Sequence, residues 1–325
     1  MKNNLENFNG WLQKQSAIKN INLRSVNMEK KLFWNKLKNE YIGRGFAVFC
    51  GLIIIVLTLS IIIFIASKGI NTFIKWRYPI TEFLFTSNWA PDSSNPKLGA
   101  AIFFVGSILV SVGAVIISAP IGIALAVFMH YISPKVGSKI LQPSLELFVG
   151  IPSVVYGWVG FSVLLPFLKR GFGGIGFSLI AGILVLSIMI LPTIASISAD
   201  AVKTIPKSYM EASYGLGATR WQTISRVIIP SAKSGILTGV VLGIARAFGE
   251  ALAVQMVIGN TVKFPGNLLS PTSTLTSILT MDMGNTVSGT AWNDALWSLA
   301  LFLLIVSFVF ILIIRAIGKG SEIKW

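Results

Sequence analysis

The sequence predicts an all-α fold, a polytopic membrane helix bundle of six transmembrane helices. Three observations predict it. Of 325 residues, 54% are hydrophobic and 12% are charged, against about a quarter charged in an ordinary soluble domain. The apolar residues stand in long blocks rather than short alternating patches, and six blocks reach the roughly 20 residues that a helical crossing needs. The Lys and Arg residues fall mainly in the segments between those blocks, the arrangement that sets membrane topology.

Taken in order, residues 1–45 are polar, with nine Lys or Arg against three Glu. They read as a cytoplasmic N-terminal extension, amphipathic or disordered. A secretory leader is not expected, because the first apolar block begins only near Phe46 and no small-residue cleavage site follows it. The expected spans are 46–66, 100–130, 144–168, 178–198, 235–258 and 292–315. The second is too long for a straight crossing and contains Pro120, so a tilt or kink is expected there. Between the first two spans, segment 67–99 carries Trp76, Trp89, Pro79, Pro91 and Pro96 and reads as an interfacial loop with aromatic anchors. No internal repeat is visible.

With the N-terminus placed in the cytoplasm, the inner segments hold 19 Lys or Arg, counting from Arg315 at the C-terminal end, and the outer segments 67–99, 169–177 and 259–291 hold 7. That bias puts both termini in the cytoplasm. The net charge of +15 is accounted for by the same asymmetry, so nucleic acid is not an expected partner and the lipid membrane is. A single cysteine, Cys50, excludes an intrachain disulfide, and the lone His130 reads as an interfacial side chain, so no metal site is expected. No catalytic constellation and no cofactor motif is present. The phosphate loop G-x-x-x-x-G-K-[ST] is absent, so any ATP chemistry belongs to other subunits.

Two glycine patterns bear on packing. Gly171, Gly173 and Gly176 match G-x-G-x-x-G, but the dinucleotide fingerprint needs a preceding strand in a βαβ unit, and here the glycines join two apolar blocks. A turn is the expected reading. Gly235, Gly239 and Gly243 are spaced by four in the fifth span, one stripe along which helix backbones can approach closely. Ala114, Ser118, Gly122 and Ala126 make a similar stripe in the second.

Arg246 and Glu250 are the charges inside the fifth span. In a continuous helix, residues four apart share a face, roughly 6 Å apart along the axis. Each charge costs about 2.5–3.5 kcal/mol at a helix centre by insertion scales. Such residues face a bundle interior or a water-filled path. Two readings stand: a mutually neutralising pair that locks packing, or a substrate path. On the second, Arg246 is the contact for a passing anion, because a guanidinium matches the oxygens of a phosphate-like group. Glu250 would then orient that fork and moderate its charge.

The inner segment 199–234 is more than a turn. Pro206 suits a helix start. A helical run from about Lys207 to Leu216 follows, Gly215 and Gly217 can supply a break, and a second amphipathic run over 218–228 ends before Pro230. Two short helices about a glycine bend would form a knob projecting from the membrane. An ordinary amphipathic connector is the other reading.

At this segment the chain resembles the permease subunits of bacterial ABC importers. Their cytoplasmic EAA loop reads E-A-A, three residues, G, nine residues, I-x-L-P. Here it is Glu211, Ala212, Ser213, then Gly217, then Val227, Ile228, Ile229 and Pro230, with Ser213, Val227 and Ile229 as mild departures. The stretches IPSVVYGWVG (151–160), EASYGLGATRWQTI (211–224), RAFGEALAVQMVIGN (246–260) and TLTSILTMDMG (274–284) are similar to the phosphate-specific, PstC-type branch. The resemblance covers about 46–315. It implies the type I ABC importer permease (MetI-like) fold, with residues 46–325 as the permease domain. It also implies a PstA-like second permease, two copies of a PstB-like ATPase and an extracytoplasmic phosphate-binding protein. Glu211, Ala212, Ser213, Gly217 and Pro230 would then serve ATPase coupling, with Glu211 capping or orienting the docking helix. A permease for sulfate, molybdate or phosphonate would share the fold and loop. A stand-alone secondary transporter would explain the spans but not the EAA loop, and a membrane-embedded enzyme has no catalytic residues to support it.

Overall fold

In the computed structural model, residues 43–93 and 95–319 are described. The expected N-terminal extension lies almost wholly outside them. The chain divides into two units, Met1–Phe64 and Ile65–Trp325. In the first, the described residues belong to helix α1 (Gly43–Gly69), whose large apolar side chains from Phe46 to Phe64 are exposed. Thr58 and Ser60 donate to the Ile54 and Val56 carbonyls at 2.8 Å, so neither hydroxyl is left unpaired beside lipid.

The second unit opens with structured pieces in place of the expected loop 67–99. These are the short helices α2 (Asn71–Ile74) and α3 (Ile80–Phe85), then an antiparallel pair β1 (Trp89–Ala90) and β2 (Lys97–Leu98). Trp89 sits opposite Leu98 and Ala90 opposite Lys97. Trp89 meets Phe103 edge-on at 5.1 Å. Phe83, Leu98 and Phe103 are buried with Leu296 and Leu299 in one apolar cluster.

Helix α4 (Ala101–Val127) runs through Pro120 without interruption and ends in a wider π turn, Phe128–Ile132. Its small-residue stripe is buried against α7 (Leu179–Lys203). Ser118 donates to the Ser187 carbonyl at 2.9 Å across that interface, and a Cβ on Gly122 would lie 3.0 Å from Ile194 Cγ2. Bilayer helices gain nothing from burying apolar surface that lipid would also solvate, so close contact and interhelical hydrogen bonds hold this pair.

The expected third span is not one helix. Helix α5 (Pro134–Gly150) and α6 (Ser153–Phe172) meet at 94°. Pro152 has no N–H and disfavours helix at the preceding residue; Ile151 is accordingly extended, with φ −70° and ψ 127°. Tyr156 donates to the Phe148 carbonyl at 2.8 Å across the bend, satisfying an acceptor that the break exposes. The glycines after α6 form a turn, with Gly173, Gly174 and Gly176 at positive φ.

After α7 come α8 (Lys207–Gly215) and α9 (Arg220–Ser231), the helix–bend–helix expected over 199–234. The second run does not stop before Pro230. A π turn over Ile224–Ile228 precedes the proline, which takes the first turn of a fresh helical segment where its missing N–H costs nothing. Helix α10 (Lys233–Gly249) follows at 68° to α9. Its glycine stripe faces α7: a Cβ would lie 3.2 Å from Ile197 Cβ at Gly239 and 2.7 Å from Ile194 Cγ1 at Gly243, and at Gly235 it would meet the Ala201 side chain.

The expected fifth span, 235–258, also breaks. Helix α10 stops at Gly249, Glu250 is extended (φ −73°, ψ 128°), and α11 (Leu252–Ile258) begins anew. The outer segment 259–291 contains α12 (Leu275–Asp282), whose first residues, Leu275 to Ile278, are buried. Helix α13 (Ala291–Lys319) closes the unit. Among the described residues four helical stretches are long and apolar enough to cross a membrane, and the number is six if each of the two bent pairs is one span.

Candidate functional site

The central core joins α4, α7, α10 and α11 through Val110, Ala114, Leu186, Ile190, Ile194, Ala247 and Val254. Arg246 projects from the last turn of α10 beside this core and is partly buried. Its Nη1 donates to Thr193 Oγ1 of α7 at 2.6 Å. Thr193 follows Pro192, whose ring lies inside α7. Tyr156, just past the α5–α6 bend, is within electrostatic reach of the guanidinium.

The expected Arg246–Glu250 pair on one helical face is not formed. The break at Glu250 removes the i, i+4 register on which it depends. Among the described residues no carboxylate lies within 4.0 Å of Arg246, and the ion pair present is Lys75–Asp294 at 3.9 Å. Glu250 instead turns to the chain that follows. Its Oε1 accepts from the Ala253 N–H at 3.1 Å, covering a free donor in the first turn of α11, where a negative charge is favoured. Its own carbonyl accepts from Thr276 Oγ1 at 2.7 Å. Glu250 thus pins the break between two half-helices to α12.

Beside the break lies a cavity of about 10 Å³, lined by Ser107, Ser111, Glu250, Thr274 and Thr276 among others. Ser107 Oγ accepts from the Leu275 N–H at 3.0 Å, and the Thr274 hydroxyl accepts from the Ser277 N–H at 3.2 Å as the cap of α12. This hydroxyl-rich layer was missed in the sequence. Its signal was T-S-T-L-T-S at 272–277, six residues with five hydroxyls within the outer segment 259–291.

The α8–α9 knob is built from local rules. Gly217 adopts φ +81°. The Ala218 N–H bonds the Ser213 carbonyl at 3.1 Å and the Gly217 N–H bonds the Tyr214 carbonyl at 2.9 Å, the pairing of a glycine-terminated helix end. Thr219 then opens α9 with a capping box: it accepts from the Gln222 N–H at 3.4 Å, and Gln222 Oε1 accepts from the Thr219 N–H at 2.8 Å. The buried Ser213 and Thr223 hydroxyls meet at 2.9 Å and tie the two helices together. Glu211 sits in the middle of α8 with an exposed side chain, so it does not cap that helix. Ala212 lines a shallow hollow of about 560 Å³ with Tyr209, Leu216 and Val227. Leu216 is 90% exposed and Trp221 67%, large apolar groups of the kind that mark an interaction surface. Pro230 lies at the root of the knob, exposed, in the short turn that leads into α10.

Comparison with known proteins places these features in a family. The model of the binding-protein-dependent transport system inner membrane component matches residues 118–322. The chain is 50% identical over 290 residues, 89% of its length and 94% of the relative's, to a protein of Bacillus subtilis named a probable ABC transporter permease protein YqgH. It is 33% identical over 254 residues, 72% of its length and 77% of the relative's, to the phosphate transport system permease protein PstC of Mesorhizobium japonicum. Among solved structures it resembles a chain of a bacterial ABC transporter involved in the import of the acidic polysaccharide alginate. That match has a TM-score of 0.59 and 15% identity, covering 89% of this chain and 99% of that one, and it speaks to the fold alone. The broken spans, the EAA knob between α7 and α10 and the family match agree: this chain belongs to the binding-protein-dependent transport system inner membrane components, as a multi-pass permease subunit of an ABC importer.

Proposed function

We propose that this permease carries inorganic phosphate, as the PstC-type half of a heterodimer with a PstA-like second permease. A phosphate-binding protein delivers the anion at the outer face, and two copies of a PstB-like ATPase dock on the α8–α9 knob. Both termini and the knob lie in the cytoplasm.

One observation carries the phosphate reading: Arg246 stands within a broken span with a hydroxyl, not a carboxylate, as its hydrogen-bond partner. A buried charge paired with a carboxylate is spent on the fold. One held by a neutral acceptor keeps its field and most of its five donors for a passing oxyanion. The relatives named as phosphate permeases support the choice among oxyanions. Thr193 fixes the fork while leaving its own hydroxyl hydrogen to donate, and Glu250 holds the half-helix break that keeps Arg246 at the end of α10.

The test is phosphate uptake and ATP hydrolysis in proteoliposomes containing the whole complex, with subunit levels checked by blot. Arg246→Gln removes a charge-assisted contact and should lower uptake about tenfold to a hundredfold. Arg246→Lys keeps the charge, loses the planar fork, and should retain assembly with an intermediate rate. Full uptake by Arg246→Gln would show that the anion passes elsewhere.

A further inference from the structure

The knob is anchored to the membrane bundle at a second point besides the chain connections at its ends. Arg220, the first residue of α9, reaches back to the end of α4. Its Nη2 donates to the Tyr131 carbonyl and, at 3.3 Å, to the Ile132 carbonyl. These are among the last acceptors of the π turn that ends α4, and helix-end carbonyls have no partner within their own helix. A cation at a helix C-terminus is favoured both by hydrogen bonding and by the dipole.

Both ends of this contact are held. Arg220 lies inside the Thr219–Gln222 capping box, and the Ser213–Thr223 hydroxyl pair ties α8 to α9. On the other side, the Tyr131 hydroxyl donates to the Val202 carbonyl at the end of α7 at 3.3 Å, and Ser118 ties α4 to α7 higher up. Helix α7 in turn carries Thr193, the partner of Arg246.

We infer that Arg220 is a coupling strut, a positioning residue through which displacement of the knob is transmitted to the inner end of α4. The inference rests on the reading of the knob as the ATPase-docking element. Without the strut, α8 and α9 would still present their docking surface, and their movement would reach the bundle through the connections to α7 and α10 and the apolar packing of Met210 and Ile228 with Val202 and Tyr131, with no charged hydrogen bond gripping the end of α4. The α4–α7 pair would then follow the knob incompletely, and ATP would be hydrolysed without a matching passage of substrate.

Arg220→Ala and Arg220→Lys test this in the full complex, alongside Leu216→Asp, which attacks the docking surface itself. The readouts are co-purified ATPase, phosphate moved per ATP hydrolysed, and amide hydrogen exchange at residues 128–133. Arg220→Ala should keep the ATPase bound, lower phosphate moved per ATP about tenfold and raise exchange at 128–133, since hydrogen bonds from charged donors are the stronger class. Arg220→Lys should recover at least half of the lost coupling, because an ammonium can still donate to the two carbonyls. A native ratio and native exchange in Arg220→Ala would overturn the strut. If Arg220→Ala lost the ATPase altogether, the exchange measurement on the solubilised full-length permease would decide, and unchanged protection at 128–133 would again overturn it. Retained ATPase in Leu216→Asp would instead overturn the docking reading of the knob, a separate failure.

Discussion

A guanidinium among apolar helices costs about 2.5–3.5 kcal/mol by insertion scales, and the Thr193 hydroxyl is the partner that secures it here. Thr193→Val keeps the side-chain shape and deletes the acceptor. Leaving a charged donor without its hydrogen bond costs about 1–3 kcal/mol, so the variant complex should melt lower and import phosphate about tenfold more slowly, while Thr193→Ser should restore both. Unchanged melting and uptake in Thr193→Val would mean that another group holds Arg246. The arginine was legible in the sequence because a charge in an apolar block stands out. Its partner was not. Thr193 lies 53 residues away on another helix, and the nearby Glu250 offered a simpler pairing that assumed an unbroken helix. The signal against that assumption was Gly249 directly before Glu250, a residue type that commonly ends helices.

At the scale of elements, helix identity followed from apolar blocks and caps, while the places where helices break did not. A 20-residue apolar block has the same composition whether straight or folded at 94°, and Pro152 near the middle of the expected third span was the one local mark of the bend. The knob was more legible, because its chemistry is local: Pro206 and Gly217 mark a start and a bend within a few residues, although the Thr219–Gln222 box that opens α9 emerged only in the structure. Gly217 separates conformational strain from crowding. Nothing lies within 4 Å of a Cβ placed there, yet its φ is +81°. A side chain therefore meets space but not a favourable backbone. Asparagine tolerates the left-handed region and valine does not. Gly217→Asn should bind ATPase and transport near the native level, and Gly217→Val should insert normally but bind ATPase several-fold more weakly. Equal behaviour of the two variants would remove the left-handed turn from the account of docking.

At the scale of the whole molecule, the six expected crossings and one bias of positive charge predict a single arrangement in the membrane. The inner segments carry 19 Lys or Arg and the outer ones 7, and each misplaced inner segment would have to carry its cations across the bilayer. The structure supplies exposed positions on each expected side: Ser93 and Asn267 on the outer, Lys139 and Leu216 on the inner. Single cysteines at these positions, on a Cys50→Ser background, turn the arrangement into a labelling pattern with an impermeant maleimide. Ser93→Cys and Asn267→Cys should react in intact cells. Lys139→Cys and Leu216→Cys should react only after the membrane is opened. Lys139 lies outside the docking hollow, so its protection in intact cells cannot be attributed to a bound ATPase, and Leu216→Cys should react faster still once the ATPase is stripped away. Reaction of Lys139→Cys in intact cells would invert the topology. It would place the EAA knob on the side without ATP, and the coupling assigned to α8, α9 and Arg220 would then have no energy source.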